Sequence, residues 1–472
     1  MTTLTSIIAP TNILTPSSSA TVTNKTISGA NNTLTVCLAN DVSGALPVAN
    51  GGFGQSSYTD GQLLIGNTAG SLSKTTLTAG TNIAITNSGG SISIAYCEPI
   101  VYINSAWMWG QNSFFGSPRG NLGDNTIVDK SSPVSVVGGF TDWCQISAGR
   151  TSAAAIRTNG TLWAWGVGDN GALGDNTTVS KSSPVSVVGG FTDWCQVSAG
   201  RYGGHAVRTN GTLWGWGAGS YGQLGDNTTV SKSSPVSVVG GFTNWCQVSA
   251  PGGATYTTLA VRTNGTLWAW GSGECGQLGD GTTVNKSSPI SVIGGFTDWS
   301  QVSGAYQSLA LRQNGTIWAW GRNGTGALGD NTTSEKSSPV SVIGGFTDWC
   351  QVSAGTQQSV AVRTNGSVWS WGQNCFGQLG TNSTTNTSSP VSVVGGFTDW
   401  CQVSSGAQQS IGLRTNGTAW SWGRGIYGGL GDNSTANKSS PVSIAGGFTD
   451  WVCLSYPHSG SRNSGAIRST AT

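Results

Sequence analysis

Short runs in which hydrophobic and polar residues alternate fill most of the chain after residue 100, and turn-forming residues separate them. Alternation of this kind is typical of β-strands with one buried face. In the first complete unit, the runs predict four strands at 144–148, 153–157, 161–165 and 184–188. Thr158-Asn159-Gly160 predicts a tight hairpin between the second and third strands, because Asn and Gly both tolerate positive φ.

The same four-strand unit recurs along the chain at a nearly constant spacing. The tetrapeptide Phe-Thr-Asp/Asn-Trp places its tryptophan at Trp143, Trp194, Trp245, Trp299, Trp349, Trp400 and Trp451. A Trp-x-Trp-Gly element begins at Trp107, Trp163, Trp214, Trp268, Trp318, Trp369 and Trp420. These positions account for all 21 tryptophans, so we expect them to be framework residues. Four strands repeated seven times predict an all-β fold, a seven-bladed β-propeller with four-stranded blades.

The two ends of the repeat region predict how the propeller closes. The first copy starts directly at a third strand, 105–109, and the last copy stops after a second strand, 465–469. We therefore expect the C-terminal strands to pair with the strand of Trp107 and to complete one blade. Such closure would remove the exposed edges that a linear array of repeats leaves. The predicted propeller domain spans residues 99–472.

The repeat resembles a known family. Trp-x-Trp-Gly is followed by Gly-Gln-Leu-Gly at 222–225, 276–279 and 377–380, and then by Val-Ser-Ala-Gly and an Ala-Val-Arg strand. This order of motifs resembles the regulator of chromosome condensation repeat over about residues 100–472. The resemblance implies a seven-bladed propeller. It is weak for function, because this propeller serves as exchange factor, scaffold and inhibitor.

Most charged residues recur once in each unit, which indicates a structural role. An arginine ends each second strand, and the aspartate of Phe-Thr-Asp-Trp is expected near it. An Asp-Lys pair six residues apart, such as Asp226 and Lys232, is expected to hold the long loop before the fourth strand, with an Asx-type turn at the aspartate. The cysteine after the framework tryptophan, as in Cys144, is predicted to be a small buried group.

Copies of one unit within one chain act as an internal control, and they differ mainly in two loops. These loops follow the first and third strands, which end on the same face because antiparallel strands alternate in direction. Aromatic rings and arginines in them could stack on sugars or on a partner protein. The predicted binding residues are Phe114, Phe115, Arg119, Arg150, Arg201, Tyr202, Tyr221, Tyr256, Tyr306, Arg322, Phe376, Arg424 and Tyr427. Neutral drift of unconstrained loops is the alternative interpretation.

Composition and motifs argue against catalysis and against several ligand classes. A glycosidase needs two carboxyl groups within about 5–10 Å, whereas Asp169 and Glu274 belong to loops two blades apart. With two histidines, no nucleophile elbow and no Cys-x-x-Cys, neither a catalytic triad nor a zinc site is expected. A net charge of +2 gives little attraction for nucleic acid. We predict no enzyme activity, no cofactor, no metal and no membrane insertion.

Residues 1–98 contain no copy of the propeller unit and are rich in Thr, Ser, Asn and Gly. Strands predicted there, such as 33–36, would need other chains to bury both faces. The segments 24–29, 46–54, 58–66 and 77–83 resemble shaft segments of bacteriophage tail fibres, although Phe53 stands where those fibres usually have Thr. We predict an attachment segment at 1–28 and a fibre-like, β-rich oligomerising region at 29–98. A flexible leader is the alternative.

The fibre resemblance implies a bacteriophage virion protein of the tail-fibre, receptor-binding type. The expected partners are two further copies in a homotrimer, baseplate or tail proteins, and a glycan or protein of the host surface bound without cleavage. Synthesis in the host cytoplasm and release by lysis would fit the lack of a secretory signal. The alternatives are an architectural virion or head-surface protein without host binding, and a guanine-nucleotide exchange factor by analogy with the repeat family.

Overall fold

The computed structural model describes residues 62–66, 72–76, 83–88, 91–96, 102–114, 117–250, 256–455 and 462–471. Ile103–Thr470 form one compact unit, and Met1–Tyr102 with Ala471–Thr472 form a second. The described residues of the larger unit form seven antiparallel sheets of four strands each, which confirms the predicted all-β propeller. We number its blades in chain order from that of Trp143, and the strands of each blade from first to fourth.

Blades 1 to 4 follow the chain without interruption. The strands of blade 1 are Trp143–Ala148, Ser152–Arg157, Leu162–Gly166 and Lys181–Ser186. Those of blade 2 are Trp194–Ala199, Gly203–Arg208, Leu213–Gly217 and Lys232–Ser237. Those of blade 3 are Trp245–Ser249, Thr257–Arg262, Leu267–Gly271 and Lys286–Ser291. Those of blade 4 are Trp299–Gly304, Gln307–Arg312, Ile317–Gly321 and Lys336–Ser341.

Blades 5 and 6 are also continuous, whereas blade 7 is assembled from both ends of the domain, as predicted. The strands of blade 5 are Trp349–Ala354, Gln358–Arg363, Val368–Gly372 and Thr387–Ser392. Those of blade 6 are Trp400–Ser405, Gln409–Arg414, Ala419–Gly423 and Lys438–Ser443. Blade 7 pairs Trp451–Leu454, Asn463–Ala471, Tyr102–Gly110 and Lys130–Ser135 in that order. Its loops add the short strands Ser113–Phe114 and Ser117–Pro118, and two single-turn 3₁₀ helices in other blades span Asp169–Gly171 and Ile426–Gly428.

Two local features differ from the sequence-based prediction. The fourth strand of blade 1 starts at Lys181, because a bulge opposite the third strand accommodates Pro184, which has no N–H for the ladder. In the hairpin turn, Gly160 has a φ of 73° while Asn159 is not at positive φ. The Asn159 side chain instead accepts the backbone N–H of Thr161 at 3.1 Å.

The first strands surround the propeller axis, and polar side chains join each one to the next from blade 1 to blade 7. Gln196 Oε1 accepts the backbone N–H of Val248 at 2.8 Å, and Ser198 Oγ accepts that of Ala250 at 2.6 Å. The glutamine bond recurs between Gln145 and Val197, Gln247 and Val302, Gln301 and Val352, Gln351 and Val403, and Gln402 and Leu454. These bonds explain why the Cys-Gln-Val-Ser strand barely changes, and they order the blades around the ring.

The hydrophobic core lies between the blades. The second tryptophan of each Trp-x-Trp is almost completely buried. Trp165 of blade 1 packs in one cluster with Met108 and Ile467 of blade 7, so the closing joint is as apolar as the others. Trp216 of blade 2 donates its indole N–H to the carbonyl of Ala172 in blade 1, at 3.1 Å. The framework role predicted for the tryptophans is therefore confirmed.

The predicted Arg-Asp pairs form wherever the aspartate is present, and the predicted Asp-Lys pairs form in blades 2, 3, 6 and 7. In blade 1, Arg157 Nε lies 2.7 Å from Asp142 Oδ1, and its guanidinium stacks 4.3 Å from the centre of the Phe140 ring. The corresponding pairs are Arg208–Asp193, Arg312–Asp298, Arg363–Asp348, Arg414–Asp399 and Arg468–Asp450, all at 2.7–2.8 Å. In the outer loop, Lys232 lies 3.9 Å from Asp226, whose carboxylate accepts the N–H of Thr228 at 3.0 Å in an Asx-type turn.

The cysteines that follow the framework tryptophans are not buried as predicted. Cys144, Cys195, Cys246, Cys350 and Cys401 are exposed. In blade 1, Trp143 pairs with Arg157 and Gln145 with Ile156, so Cys144 is the extra residue of a β-bulge and points out of the ladder. Its Sγ lies 3.3 Å from the carbonyl of Ile156. The eight cysteines in the described part of the chain are all free.

The smaller unit is described at two hairpins. Gln62–Gly66 pairs with Leu72–Thr76, and Ile83–Ser88 pairs with Ser91–Tyr96, both antiparallel. The predicted strand at 33–36 and the proposed attachment segment at 1–28 lie outside the described residues.

Candidate variable-face binding site

The loops after the first and third strands share one side of the ring, as the antiparallel order of each blade requires. We call this side the variable face and the opposite side the fixed face. The loops after the first strands are the central loops, because those strands surround the axis. The loops after the third strands are the outer loops. The framework therefore holds the diversified segments together on one surface.

Hydrogen bonds join the central loops of blades 1 and 2, of blades 4 and 5, and of blades 5 and 6. Gln307 of blade 4 donates to the carbonyl of Gly355 in blade 5 at 3.0 Å, and Gln358 of blade 5 donates to that of Gly406 in blade 6 at 3.2 Å. In blade 1, the Thr151 hydroxyl donates to the carbonyl of Arg201 in blade 2. These bonds hold the loops in fixed positions, so the side chains that they carry are presented in a defined arrangement.

Three predicted tyrosines lie together over blades 2 and 3. The rings of Tyr221 and Tyr256 are stacked, with centroids 4.3 Å apart and planes inclined by 9°. The ring of Tyr202 is also stacked with that of Tyr256, with centroids 6.4 Å apart and planes inclined by 12°. The Arg201 guanidinium is 4.5 Å from the centre of the Tyr202 ring. The four side chains form one half-buried aromatic and cationic cluster, which we call the tyrosine cluster.

The other predicted arginines also lie against aromatic rings or carboxylates. Arg322 lies 5.0 Å from the ring centre of Tyr306, and Arg424 of blade 6 lies 4.5 Å from that of Phe376 in blade 5. The guanidinium of Arg462, a residue that the predicted set did not include, lies 5.8 Å from the ring centre of Tyr427. Arg119 pairs with Asp169 of blade 1 at 3.0 Å. The side chain of Phe114 and the whole of Phe115 lie outside the described residues.

Positive charge is concentrated at the centre of the variable face. Burial lowers the pKa of Arg150, and repulsion from the neighbouring guanidinium groups of Arg201 and Arg462 lowers it further. Burial raises the pKa of Tyr256, and Arg201 partly opposes that effect. The central loops contain no Asp or Glu in the sequence. The centre of this face thus favours contact with negative charge.

The structure places beside the tyrosine cluster a histidine that the sequence analysis passed over. His205 is 2% exposed, and neither ring nitrogen has a hydrogen-bond partner. A cavity of about 20 Å³ next to it is lined also by Trp216 and Tyr256, and it has room for one water molecule. The sequence did carry a signal, because Gly203-Gly204-His205 departs from the Gln-Ser-Leu of blade 4.

His205 stands at a position where blade 3 has Leu259 and blade 4 has Leu309. It pairs across the ladder with Gly215, and a Cβ at Gly215 would lie 2.8 Å from His205 Nε2. Burial lowers the pKa of His205 to about 4, although the backbone of Gln223 and Leu224 opposes the shift. The imidazole is therefore neutral near pH 7.

The side chains of the variable face are of types suited to binding. Within the described residues, no group of three or more His, Cys, Asp or Glu side chains could hold a metal ion. Asp169 is engaged by Arg119, and Glu274 is an exposed residue of the blade 3 outer loop. Among the described residues, no helix is long and apolar enough to cross a membrane. Stacked aromatic rings with arginine are instead typical of the energetically important part of a binding surface.

The fold and the loop surface define a propeller built from repeats, with one variable face and one fixed face. Six segments match the model of the regulator of chromosome condensation (RCC1) repeat, at 159–207, 210–259, 264–311, 314–362, 365–413 and 416–454. A second model of the same repeat matches 245–277 and 349–378. These segments cover more than half of the chain, which therefore belongs to the RCC1 repeat family.

Proteins of known identity share this region. The ultraviolet-B receptor UVR8 of Arabidopsis thaliana is 29% identical over 82% of this chain and 75% of its own length. The human E3 ubiquitin-protein ligase HERC2 is 30% identical over 64% of this chain, which spans 5% of HERC2. Two solved structures share the fold, each with a TM-score of 0.67 over 78% of this chain. Human WBSCR16 is 18% identical and is covered over 99% of its own chain. Prp20p of Saccharomyces cerevisiae is 19% identical and is covered over 92% of its own chain.

These relatives overturn the bacteriophage interpretation. They are a plant receptor and a human ligase, and the solved neighbours come from human and yeast. The predicted virion protein, tail fibre or head-surface, is therefore wrong, as are the virion location, the homotrimer and the baseplate and host-surface partners. The error has a physical origin, because Thr-, Ser-, Asn- and Gly-rich segments resemble one another without sharing a fold. The alternative of a guanine-nucleotide exchange factor stays untested, since 19% identity to Prp20p shows the fold alone.

Proposed function

We propose that this chain is a non-catalytic binding protein that holds a partner protein on the variable face of its propeller. The observation that carries the proposal is the tyrosine cluster, where Tyr202, Tyr221 and Tyr256 stack beside Arg201. Tyrosine and arginine dominate the energetics of protein interfaces, since their rigid groups combine a large apolar area with polar ends.

The position of the cluster supports the proposal as well. The central loop that carries Arg201 and Tyr202 is bonded to blade 1, so little conformational freedom of that loop is lost when a partner binds. The proposed contact residues are the arginines and aromatic residues predicted from the sequence, joined by Arg462. The fixed face, by contrast, repeats the same hairpin and the same Phe-Thr-Asp-Trp corner in almost every blade.

The relatives agree with a binding role. UVR8 is named as a receptor, and Prp20p has been described with its binding properties to Gsp1p and histones. HERC2 is named as a ligase, and this chain spans a twentieth of its length. A propeller that binds, without chemistry of its own, is a role that all three could share.

Peptide selection followed by hydrogen exchange tests the proposal. The full chain would be immobilised and offered a random peptide library, and an enriched peptide would be synthesised. We expect its binding to slow amide exchange in the central and outer loops around the tyrosine cluster. We also expect Arg201→Ser with Tyr256→Ser to weaken binding about tenfold or more.

The matched control is Val452→Ser, because Val452 is exposed at the bulge of a first strand and Ser300 already occupies that position in blade 4. This variant should bind like the wild type. Protection confined to the fixed-face hairpins, or an affinity that the variable-face variant leaves unchanged, would contradict the proposal.

A further inference from the structure

The outer loops expose an apolar side chain at one position in four successive blades. The residue four places after the repeated loop aspartate is Val128 in blade 7, Val179 in blade 1, Val230 in blade 2 and Val284 in blade 3. Their exposed fractions are 58–61%, which is high for valine in a folded domain. In blades 4, 5 and 6 the same position holds Ser334, Thr385 and Ala436.

The central loops divide the ring at nearly the same place. Arginines stand in the central loops of blades 7, 1 and 2, as Arg462, Arg150 and Arg201. The position of Arg150 and Arg201 is occupied by Thr356 in blade 5 and Ala407 in blade 6, and the central loop of blade 4 is also uncharged. Two sets of loops that are separate in sequence thus change character at nearly the same place, the arginines ending at blade 2 and the valines at blade 3.

Drift at independent loops would not be expected to make this coincidence, because the framework of all seven blades is nearly identical. Resting on the proposed function, we propose that the sector of the variable face made by blades 7, 1, 2 and 3 is the docking surface for an acidic segment of a partner protein that also carries apolar side chains. We call these four blades the docking sector. The tyrosine cluster lies within it, over blades 2 and 3.

Charge complementarity determines the acidic character of the partner segment. Arg150 lies close enough to Arg201 and Arg462 for the three positive charges to repel one another. Carboxylates placed between them would relieve that repulsion in a partly desolvated environment, where charge pairs are stronger than in water. Apart from the repeated loop aspartates such as Asp226, the acidic residues of the sector's loops are Asp129, Asp169 and Glu274, which lie away from the centre in the outer loops.

The exposed valines determine the second property of the partner. A side chain such as Val179 gains nothing from a phosphate backbone but gains free energy when an apolar side chain covers it. The chain also carries too little net charge, +2, for strong attraction to a polyanion. A protein segment fits both the arginines and the valines, whereas a nucleic acid fits the arginines alone.

The ring supplies its own matched variants for the test. Arg150→Thr with Arg201→Thr installs the residue that blade 5 has at Thr356, and Val179→Ser with Val230→Ser installs the residue that blade 4 has at Ser334. Thr356→Ala with Thr385→Ala changes the same two loop positions outside the docking sector. Each double variant keeps the Trp, Arg-Asp and Gln framework, so the folded ring can be verified by its unfolding midpoint.

The experiment measures the affinity of peptides enriched on the full chain, by fluorescence anisotropy against the wild type and the three double variants. We expect enriched peptides to combine Asp or Glu with apolar residues. The arginine variant should lower affinity about tenfold or more and weaken its salt dependence. The valine variant should lower affinity about fivefold, and the blade 5 variant should leave it within about twofold.

The outcomes separate this inference from the proposed function. Peptides that bind the variable face but lose affinity through the blade 5 variant, or that lack acidic residues, would overturn the docking sector and leave the binding face standing. Displacement of the peptide by a single-stranded oligonucleotide at equal concentration would assign the sector to nucleic acid and overturn the partner class. Peptides insensitive to every variable-face variant would overturn both.

Discussion

The backbone N–H of Asn433 donates a 2.8 Å hydrogen bond to the carbonyl oxygen of Ser131, which precedes it by 302 residues. Equivalent bonds link Asn176 to Ser233, and Asn331 to Ser388, inside the array. Blade 6 therefore meets the two-ended blade 7 as any two neighbours meet. The inner ring differs at the joint from blade 7 to blade 1, because Cys453 stands at the position of the bonding glutamine.

Because both ends of the domain build blade 7, we expect the stability of the propeller to depend strongly on its C-terminal strand. Deleting 463–472 removes the second strand of blade 7 together with Ile467, which is buried in the same core cluster as Met108. We expect a loss of at least about 3–5 kcal/mol in unfolding free energy, measured by urea titration of tryptophan fluorescence. Deleting 1–98 removes no strand of the propeller and should leave the midpoint unchanged. Equal midpoints for the two truncations would contradict the closure.

One blade has Asn where the other Arg-Asp pairs have Asp, which predicts that the same change will be tolerated in another blade. In blade 3 the partner of Arg262 is Asn244, whose Oδ1 accepts the Nε–H at 2.7 Å, as Asp298 Oδ1 does from Arg312 at 2.8 Å. We expect Asp298→Asn to cost less than about 1 kcal/mol, because the pair is partly exposed and the acceptor is kept. Asp298→Ala should cost about 1–3 kcal/mol through the lost acceptor. Chemical unfolding of both variants makes the comparison, and equal losses would show that charge, not the hydrogen bond, matters.

The glutamine side chains that bond each first strand to the next, from blade 1 to blade 7, predict that replacing one of them lowers stability. Gln301 Oε1 accepts the N–H of Val352, a residue with no exposed surface, at 2.9 Å. Gln301→Ala should leave that N–H without an acceptor and cost about 1–3 kcal/mol. The exposed outer-loop change Thr385→Ala serves as the control and should shift stability by no more than about 0.5 kcal/mol. If the thermal midpoint of Gln301→Ala matched that of the control, the glutamine bonds between first strands would not contribute to stability.

The success of the fold prediction follows from repetition. A single alternating run such as 105–109 is a weak signal, but seven aligned copies show which positions never change, and those positions proved to be the framework. The same comparison located the variable face. It missed the bulges at Cys144 and Pro184, because every copy carries them and alternation alone does not reveal an extra residue.

Function was harder to predict for a physical reason. Residues such as Gln196 and Trp216 are determined by their own blade and its neighbours. Under our proposal, Arg201 and Tyr202 are determined by a partner that the sequence does not contain. The amino-terminal composition then suggested a bacteriophage partner, and the relatives of the propeller showed that it was wrong. His205 was passed over because a lone deviation from a repeat resembles drift until its burial is known.

His205 makes stability dependent on acid. Its pKa falls from 6.5 in the unfolded chain to about 4 in the buried site. Between these values the unfolded chain binds a proton that the folded chain excludes, so stability rises with pH and is lost as pH falls from about 6.5 to about 4. The full loss would be about 3 kcal/mol, at about 1.4 kcal/mol for each pKa unit.

Replacing this histidine should remove its part of the acid sensitivity. His205→Leu installs the residue of blades 3 and 4, and it should unfold at nearly the same midpoint at pH 5 as at pH 7, apart from changes due to carboxylates. His458→Ala, at the other histidine of the chain, is the control and should retain the loss seen in the wild type. Urea midpoints at the two pH values decide between them. If His205→Leu loses as much stability on acidification as the wild type, protonation of the buried imidazole does not limit stability, and the cavity beside Tyr256 accommodates the charged ring.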